Sequence, residues 1–258
     1  MTINIPVQML GQSGCRLEFP GAVIYMDPYL SNSVQELDGP DLARLMPIPC
    51  LPSSVTDVDW LLISHEHIDH CDPHTLPDLA KASPQARFMG PAAVLSILND
   101  WGIEPGRCVL ASEQWQELGP NLRILATPAA HPEIERDVDG NLRYVGYIID
   151  YKGRLLYLAG DTSVADELIN VLLAQNGIDI AFMPVNERNF FRQRRGIIGN
   201  MSVREAFHLA IEVGIKKLVP VHWDMFGANS VSIDEIKAIH VDMKPGFELL
   251  LQPKTLEI

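Results

Sequence analysis

The chain has 258 residues, 47% of them hydrophobic, and a formal charge of −13 at pH 7. That length suffices to bury a sizeable core, and the negative balance excludes DNA or RNA as a partner, because phosphate backbones are held by basic faces. No stretch reaches the roughly 18 uninterrupted apolar residues of an ordinary membrane span. The start MTINIPVQML lacks a basic segment followed by a long apolar core. Cys15, Cys50, Cys71 and Cys108 lie far apart with no CxxC spacing, which reads as free thiols in a reducing, cytoplasmic setting.

In chain order, short strands are predicted over 5–10, 15–19 and 22–26, separated by the turns GQSG and PG. Residues 31–56 are rich in proline and show no period, so they read as a long loop able to form a wall or lid. A strand then runs from residue 59 into a cluster of histidines. It is followed by a helix over about 74–82, the strand ARFMG and the amphipathic helix PAAVLSILNDWG, with Pro91 near its start and Gly102 at its end. A second group of strands comes next: RCVLA, NLRILATPAA, RYVGYIIDYKG and RLLYLAGD, with DGN and YKGR as turns. The last third alternates helix VADELINVLLAQNG, strand IDIAFMPV, helix SVREAFHLAIEVG, strand KKLVPVH, helix SIDEIKAIHVDM and strand FELLL. Ser202 and Glu205 offer a capping box for the middle helix. Two successive halves of this kind predict two sheets packed face to face with helices outside, a four-layer α/β sandwich forming a single domain over 1–258.

Polar side chains at the ends of buried strands are where α/β sheets build their sites. LLIS runs into His65, Glu66, His67, Ile68, Asp69 and His70; ILATPAA into His131; LLYLAG into Asp161; LVPV into His222. Imidazole and carboxylate are the donors that hold zinc, manganese or iron(II), and this set suffices for two ions completed by water. Two ions in that arrangement share a water, lower its pKa and make it a nucleophile at neutral pH. The zinc-protease helix H-E-x-x-H is excluded, since Asp69 stands where its second histidine is required. Taken singly, His131 or His222 would read as packing. His74 reads as a helix-start residue, Cys71 as a structural thiol, and His208 and His240 as structural residues on helices distant from the strand ends.

These motifs resemble the metallo-β-lactamase superfamily: SHEHIDH is similar to its H-x-H-x-D-H signature, followed in the expected order by AAH, AGDT and PVH, and preceded by YMDP. The resemblance spans nearly the whole chain and implies an αβ/βα sandwich with metals at one edge of the sheets. It implies that His65, His67 and His131 hold one ion and Asp69, His70 and His222 the other. Asp161 bridges both, Asp27 braces the loop from behind, and Asp69 orients the attacking hydroxide. The cofactors expected are two divalent ions, zinc or manganese, with iron as a further candidate. Position 67 is histidine rather than the glutamate of the oxygen-reducing di-iron branch, which favours hydrolysis.

The stretches MLGQSGCRLEF, GRLLYLAGDT and GNMSVREA…GIKKLVPVHWDMF resemble the L-ascorbate-6-phosphate lactonase branch. His131 departs from that branch's pattern. DPYLS and VHWDMF are also similar to a sister group that cleaves phosphodiesters in N-acyl phospholipids. The expected substrate is a small anionic ester or lactone, a sugar-acid lactone or its phosphate, with phosphodiester hydrolysis and a non-catalytic metal-dependent sensor as alternatives. Candidate groups for holding the anion are Arg192, Arg194 and Arg195 in NERNFFRQRRG, with Asn186 and Trp223 alongside. Homo-oligomer formation is left open.

Overall fold

The computed structural model describes residues 3–258. β1 (Asn4–Gly11), β2 (Gly14–Phe19) and β3 (Ala22–Met26) form the antiparallel meander expected from their turns. Along them Ile5, Val7, Cys15, Leu17, Ile24 and Met26 all enter one core, as period-two side chains do. The loop that follows contains a π-helical turn at Val34–Asp38 and a 3-10 turn at Pro52–Ser54. β4 (Trp60–Leu62) is buried at every position, the mark of a strand covered on both faces. Helix α1 (Leu76–Ala82) leads to β5 (Arg87–Gly90), and α2 (Ala92–Asp100) leads to β6 (Cys108–Leu110). These strands pair in parallel from β3 to β6, which requires such crossovers. Helix α1 begins two residues later than the pattern predicts. The Asp72 carboxylate accepts from the His74 amide (2.9 Å) and from the Thr75 hydroxyl, so 72–75 form a turn ahead of the helix.

The second half repeats this plan. β7 (Gln116–Gly119), β8 (Leu122–Pro128), β9 (Val145–Tyr151) and β10 (Arg154–Leu158) are antiparallel neighbours. The turn between β9 and β10 has Lys152 and Gly153 at positive φ, the geometry a two-residue hairpin demands. Then come α3 (Asp166–Leu173), β11 (Ile178–Pro184), the one-turn α4 (Phe190–Gln193), α5 (Val203–Glu212), β12 (Ile215–Val221), α6 (Ile233–Met243) and β13 (Glu248–Leu249). β10 to β13 are parallel. The capping box starts α5: Ser202 Oγ accepts from the Glu205 amide, and the Glu205 carboxylate accepts from the Ser202 amide. Finally β14 (Thr255–Glu257) returns to pair with β1.

Two seven-stranded sheets result, ordered β14-β1-β2-β3-β4-β5-β6 and β13-β12-β11-β10-β9-β8-β7. Leu17, Ile24 and Met26 meet Ile124, Tyr147, Ile149 and Phe182 between them. Leu76, Leu79, Val94 and Leu98 of α1 and α2 cover Leu61 and Phe88 outside the first sheet. Leu168, Leu172, Phe207 and Ile236 of α3, α5 and α6 cover Ile148, Tyr157 and Ala181 outside the second. This is the four-layer αβ/βα sandwich expected from the sequence. Among the described residues no helix is long and apolar enough to cross a membrane.

Candidate metal centre

At one edge of the sandwich the strands release their polar residues together. β3 runs into Asp27, β4 into Ser64 and His65, β8 into His131, β10 into Asp161 and β12 into His222. His67 Nδ1 lies 3.0 Å from His65 Nε2 and 3.2 Å from His131 Nε2. His70 Nε2 is 3.5 Å from Asp69 Oδ2 and 3.4 Å from Asp161 Oδ1, and His222 Nε2 is 3.4 Å and 3.2 Å from Oδ2 of the same two carboxylates. Donor atoms thus gather as His65, His67 and His131; as His65, His70 and Asp161; and as Asp69, His70 and His222. Every residue of the predicted cluster is brought into it. His74 stays outside, 3.4 Å from Glu36 at the surface.

Backbone geometry makes this convergence feasible. Gly160 has φ +61°, and a Cβ there would lie 2.7 Å from Ser64 Cβ and 2.9 Å from the Val145 carbonyl oxygen. Only glycine lets the end of β10 come so close to the end of β4. His222 (φ +60°) and Asp27 (φ +39°) occupy the left-handed region without being glycine, a strain found mainly where surrounding structure enforces it. The His222 amide donates to the Gln12 carbonyl (2.9 Å) and the Asp27 amide to the Leu62 carbonyl (2.9 Å).

Hydrogen bonds fix how the imidazoles point. Fully buried Asp27 accepts from the Ser64 amide (2.8 Å), from Ser64 Oγ (2.7 Å) and from His70 Nδ1 (2.8 Å). Because the Ser64 hydroxyl proton goes to Asp27, its oxygen accepts from His65 Nδ1 at 2.9 Å. His131 Nδ1 donates to Asn200 Oδ1 (3.1 Å), Asn200 Nδ2 to Asn186 Oδ1 (2.9 Å), and Asn186 Nδ2 to Asn229 Oδ1 (3.2 Å). His65, His70 and His131 therefore turn Nε2 inward, the arrangement that suits metal ligation once that atom is unprotonated. Gln12 Nε2 donates to Asp69 Oδ2 (2.7 Å) and Ser13 Oγ to Asp161 Oδ1 (3.4 Å).

Burial, joined by His70, His67 and His131 nearby, holds His65 well below the usual imidazole range. Burial likewise brings His131 down to about 4, with Asp161 opposing the shift. On the other side burial opposes charge, yet Asp161 and Asp69 raise His70 well above its ordinary value and bring His222 up to about 9. Burial works against ionising Asp161 too, but His222 and His70 hold it well below the carboxylate range. His65 and His131 are thus held neutral, while the carboxylates of Asp69 and Asp161 draw positive charge onto His70 and His222, the side on which a cation is most favoured. His70 Nε2 is buried there with no hydrogen-bond partner. An orphaned donor atom beside two carboxylates is the environment that a cation satisfies, so the residues present fit a metal.

A cavity of about 560 Å³ opens over the cluster. Of the candidate anion-binding residues, Arg195 alone lines it. Arg192 is turned inward to the protein, where its guanidinium donates to the carbonyls of Asn186 (2.5 Å), Glu187 (2.7 Å) and Ser230 (2.7 Å). Arg194 lies over the Phe190 ring, 5.8 Å from its centroid. Asn186 is fully buried and spends its amide on Asn200 and Asn229. Trp223 donates to the Pro220 carbonyl (3.0 Å) and packs against the second sheet's outer core. Gln12, Ser13, Ser64 and Asn200 were missed by sequence reasoning. The GQSG turn was a trace of the first two, and SHEHIDH began on the third.

The profile of the beta-lactamase superfamily domain matches residues 23–223, which hold the whole cluster. This chain belongs to the metallo-β-lactamase superfamily. Within that superfamily it is 28% identical to a UPF0173 metal-dependent hydrolase of Rubrobacter xylanophilus over 94% of this chain and 95% of that one. It is 24% identical to the N-acyl-phosphatidylethanolamine-hydrolyzing phospholipase D 1 of Caenorhabditis elegans over 84% of this chain and 63% of that one. The chain spans 59% of the length of the mycobacterial relatives it matches. Among solved structures, the metallo hydrolase Igni18 of Ignicoccus hospitalis superposes with a TM-score of 0.72 at 19% identity, covering 99% of each chain. The superfamily match spans the whole His/Asp cluster, and the relatives similar to this chain include a protein described as a metal-dependent hydrolase.

Proposed function

We propose that the chain hydrolyses a small ester or lactone at a centre of two divalent ions, zinc or manganese, with iron a further candidate. His65, His67 and His131 would hold one ion, and Asp69, His70 and His222 the other, with Asp161 between them. The observation that carries this reading is the position of Asp161, whose oxygens lie 3.4 Å from His70, 3.2 Å from His222 and 3.9 Å from His131. When bound, such ions supply an acidified water and polarise the oxygen of a carbonyl or phosphoryl group. The protein's part is to orient. Asp27 holds His70 directly and His65 through Ser64, while Asn200 holds His131. Asp69 is the more exposed of the two carboxylates that line the cavity, its side chain 20% exposed against 4% for Asp161. It orients the attacking water and takes its proton, which returns to the leaving oxygen as the acyl C–O bond breaks.

The sugar-acid phosphate implied by the lactonase resemblance would find Arg195 as the only arginine or lysine lining the cavity among the described residues. Our proposal therefore allows a single anionic group at the mouth. The test is metal analysis of the reconstituted protein together with kcat/KM on a panel of lactones and carboxylic esters. We expect two ions per chain and turnover of at least one panel member; metal-loaded protein inert on the whole panel overturns the reading. The similarity to the nematode phospholipase D over 84% of this chain favours phosphodiester hydrolysis as the second reading. Bis-p-nitrophenyl phosphate, assayed beside the panel, separates the two.

A further inference from the structure

The cavity lining divides into two chemistries. Besides the cluster residues, it is lined mainly by Val34, Leu42, Ile68, Ile197, Ile198 and Phe226, with Gly39, Gly196 and the amide Asn229 between them and Asp38, Asp41, Glu66 and Arg195 as its remaining charged groups. Most of that charge is already paired. Glu66 accepts from Arg143 at 2.6 Å and 2.8 Å, and Arg195 is joined to Asp41 across the mouth. Asp38 adds a further negative charge to the rim.

Resting on the proposed hydrolysis at this centre, we infer that the substrate's portion away from the scissile bond is a short hydrocarbon chain or ring carrying at most one negative charge, rather than a polyhydroxylated or phosphorylated group. A hydrocarbon on these apolar side chains leaves water at about 0.8 kcal/mol per methylene, close to fourfold in binding. A polyol in the same place exchanges water for aliphatic side chains, losing hydrogen bonds that these side chains do not restore, and the lining's one neutral amide among the described residues, Asn229, already accepts from Asn186. A phosphate dianion needs several donors converging on its oxygens. The lining offers one guanidinium, which Asp41 already engages, and Asp38 adds a negative charge to the same lining. A lone carboxylate on the substrate can take that guanidinium in Asp41's place.

The test uses the full metal-loaded chain and six-membered lactones of matched ring size: an alkyl-substituted δ-lactone, glucono-δ-lactone and its 6-phosphate. We expect kcat/KM for the alkyl lactone to exceed that for the phosphorylated one at least tenfold, mainly through KM, and Ile198→Asp to bring the ratio toward one. Binding without turnover gives a separate readout. By calorimetry hexanoate should bind at least tenfold more tightly than gluconate 6-phosphate, and about fourfold more tightly than pentanoate. If no lactone is hydrolysed but hexanoate keeps its advantage, the hydrolytic reading fails and the inference about the cavity stands. If lactones are hydrolysed and the 6-phosphate is preferred, or gluconate 6-phosphate binds as tightly as hexanoate, the inference is overturned and hydrolysis stands.

Discussion

The floor of the cavity is made of strand ends and its rim of loops, and the two hold their side chains in different ways. His65, Asp161 and His222 on the floor are at most 4% exposed, and each lies within three residues of the end of a paired strand. On the rim, the side chains of Asp41 and Arg195 are 63% and 50% exposed and come from loops 154 residues apart in sequence. A reaction that needs fixed donor positions gains from the first kind of support, because small displacements of reacting groups cost rate steeply. Choosing a substrate tolerates the second kind, since loops accept change without disturbing the sheets beneath them.

The largest effect that would sharpen this contrast is on the floor. Asp161→Ala should lower kcat/KM by about a hundredfold or more, equivalent to several kcal/mol of transition-state stabilisation. It should also reduce bound metal below the wild-type content in elemental analysis; unchanged metal and rate would mean that the floor is not the reaction centre. Next comes Gly160→Ala, which adds a methyl 2.7 Å from Ser64 Cβ in the left-handed region. A loss of about 2–4 kcal/mol is expected from overpacking and backbone strain, seen as a lower midpoint in chemical denaturation, whereas glycine-to-alanine at exposed Gly227 should change little.

Asn200→Leu should weaken metal affinity or activity about tenfold to a hundredfold, the usual cost of losing a partner that orients a ligand. Chelator titration measures it, and retention of the denaturation midpoint would show that His131 is being aimed rather than the fold supported. The smallest effect belongs to a partly exposed ion pair outside the cluster and the cavity lining. Glu113 is held below its ordinary carboxylate range by its hydrogen bond to Arg136. A depressed folded value means that its contribution is complete above about pH 4.3 and disappears as pH falls through the lower folded value. Solvent screening limits it to a few tenths of a kcal/mol. Glu113→Gln should therefore cost that much at pH 7 and progressively less as the pH is lowered below about 4.3 in paired unfolding curves.

The floor was legible in the sequence because each of its residues follows an apolar run long enough to be read as a strand. SHEHIDH alone places four of the cluster residues within six positions. Its supports were less legible for a physical reason. Gln12 and Asn200 are lone amides in loops, and nothing in a linear pattern says that one will meet Asp69 and the other His131. The arginines show the same limit. Arg192 and Arg195 are three residues apart in one loop, yet one is bound to three backbone carbonyls and the other faces the cavity. Only the path of the chain decides between them. Among the elements, β7 and β14 escaped notice because each is held by pairing with a neighbour rather than by an apolar period of its own.

The outer strands of the two sheets are β6 and β14 in one and β7 and β13 in the other. They run for 3, 3, 4 and 2 residues. Each margin therefore offers another chain only a brief row of unpaired N–H and C=O groups, too little for a strand from a second molecule to extend the sheet. Short margins of this kind disfavour edge-to-edge pairing between copies of the protein and so its growth into fibres.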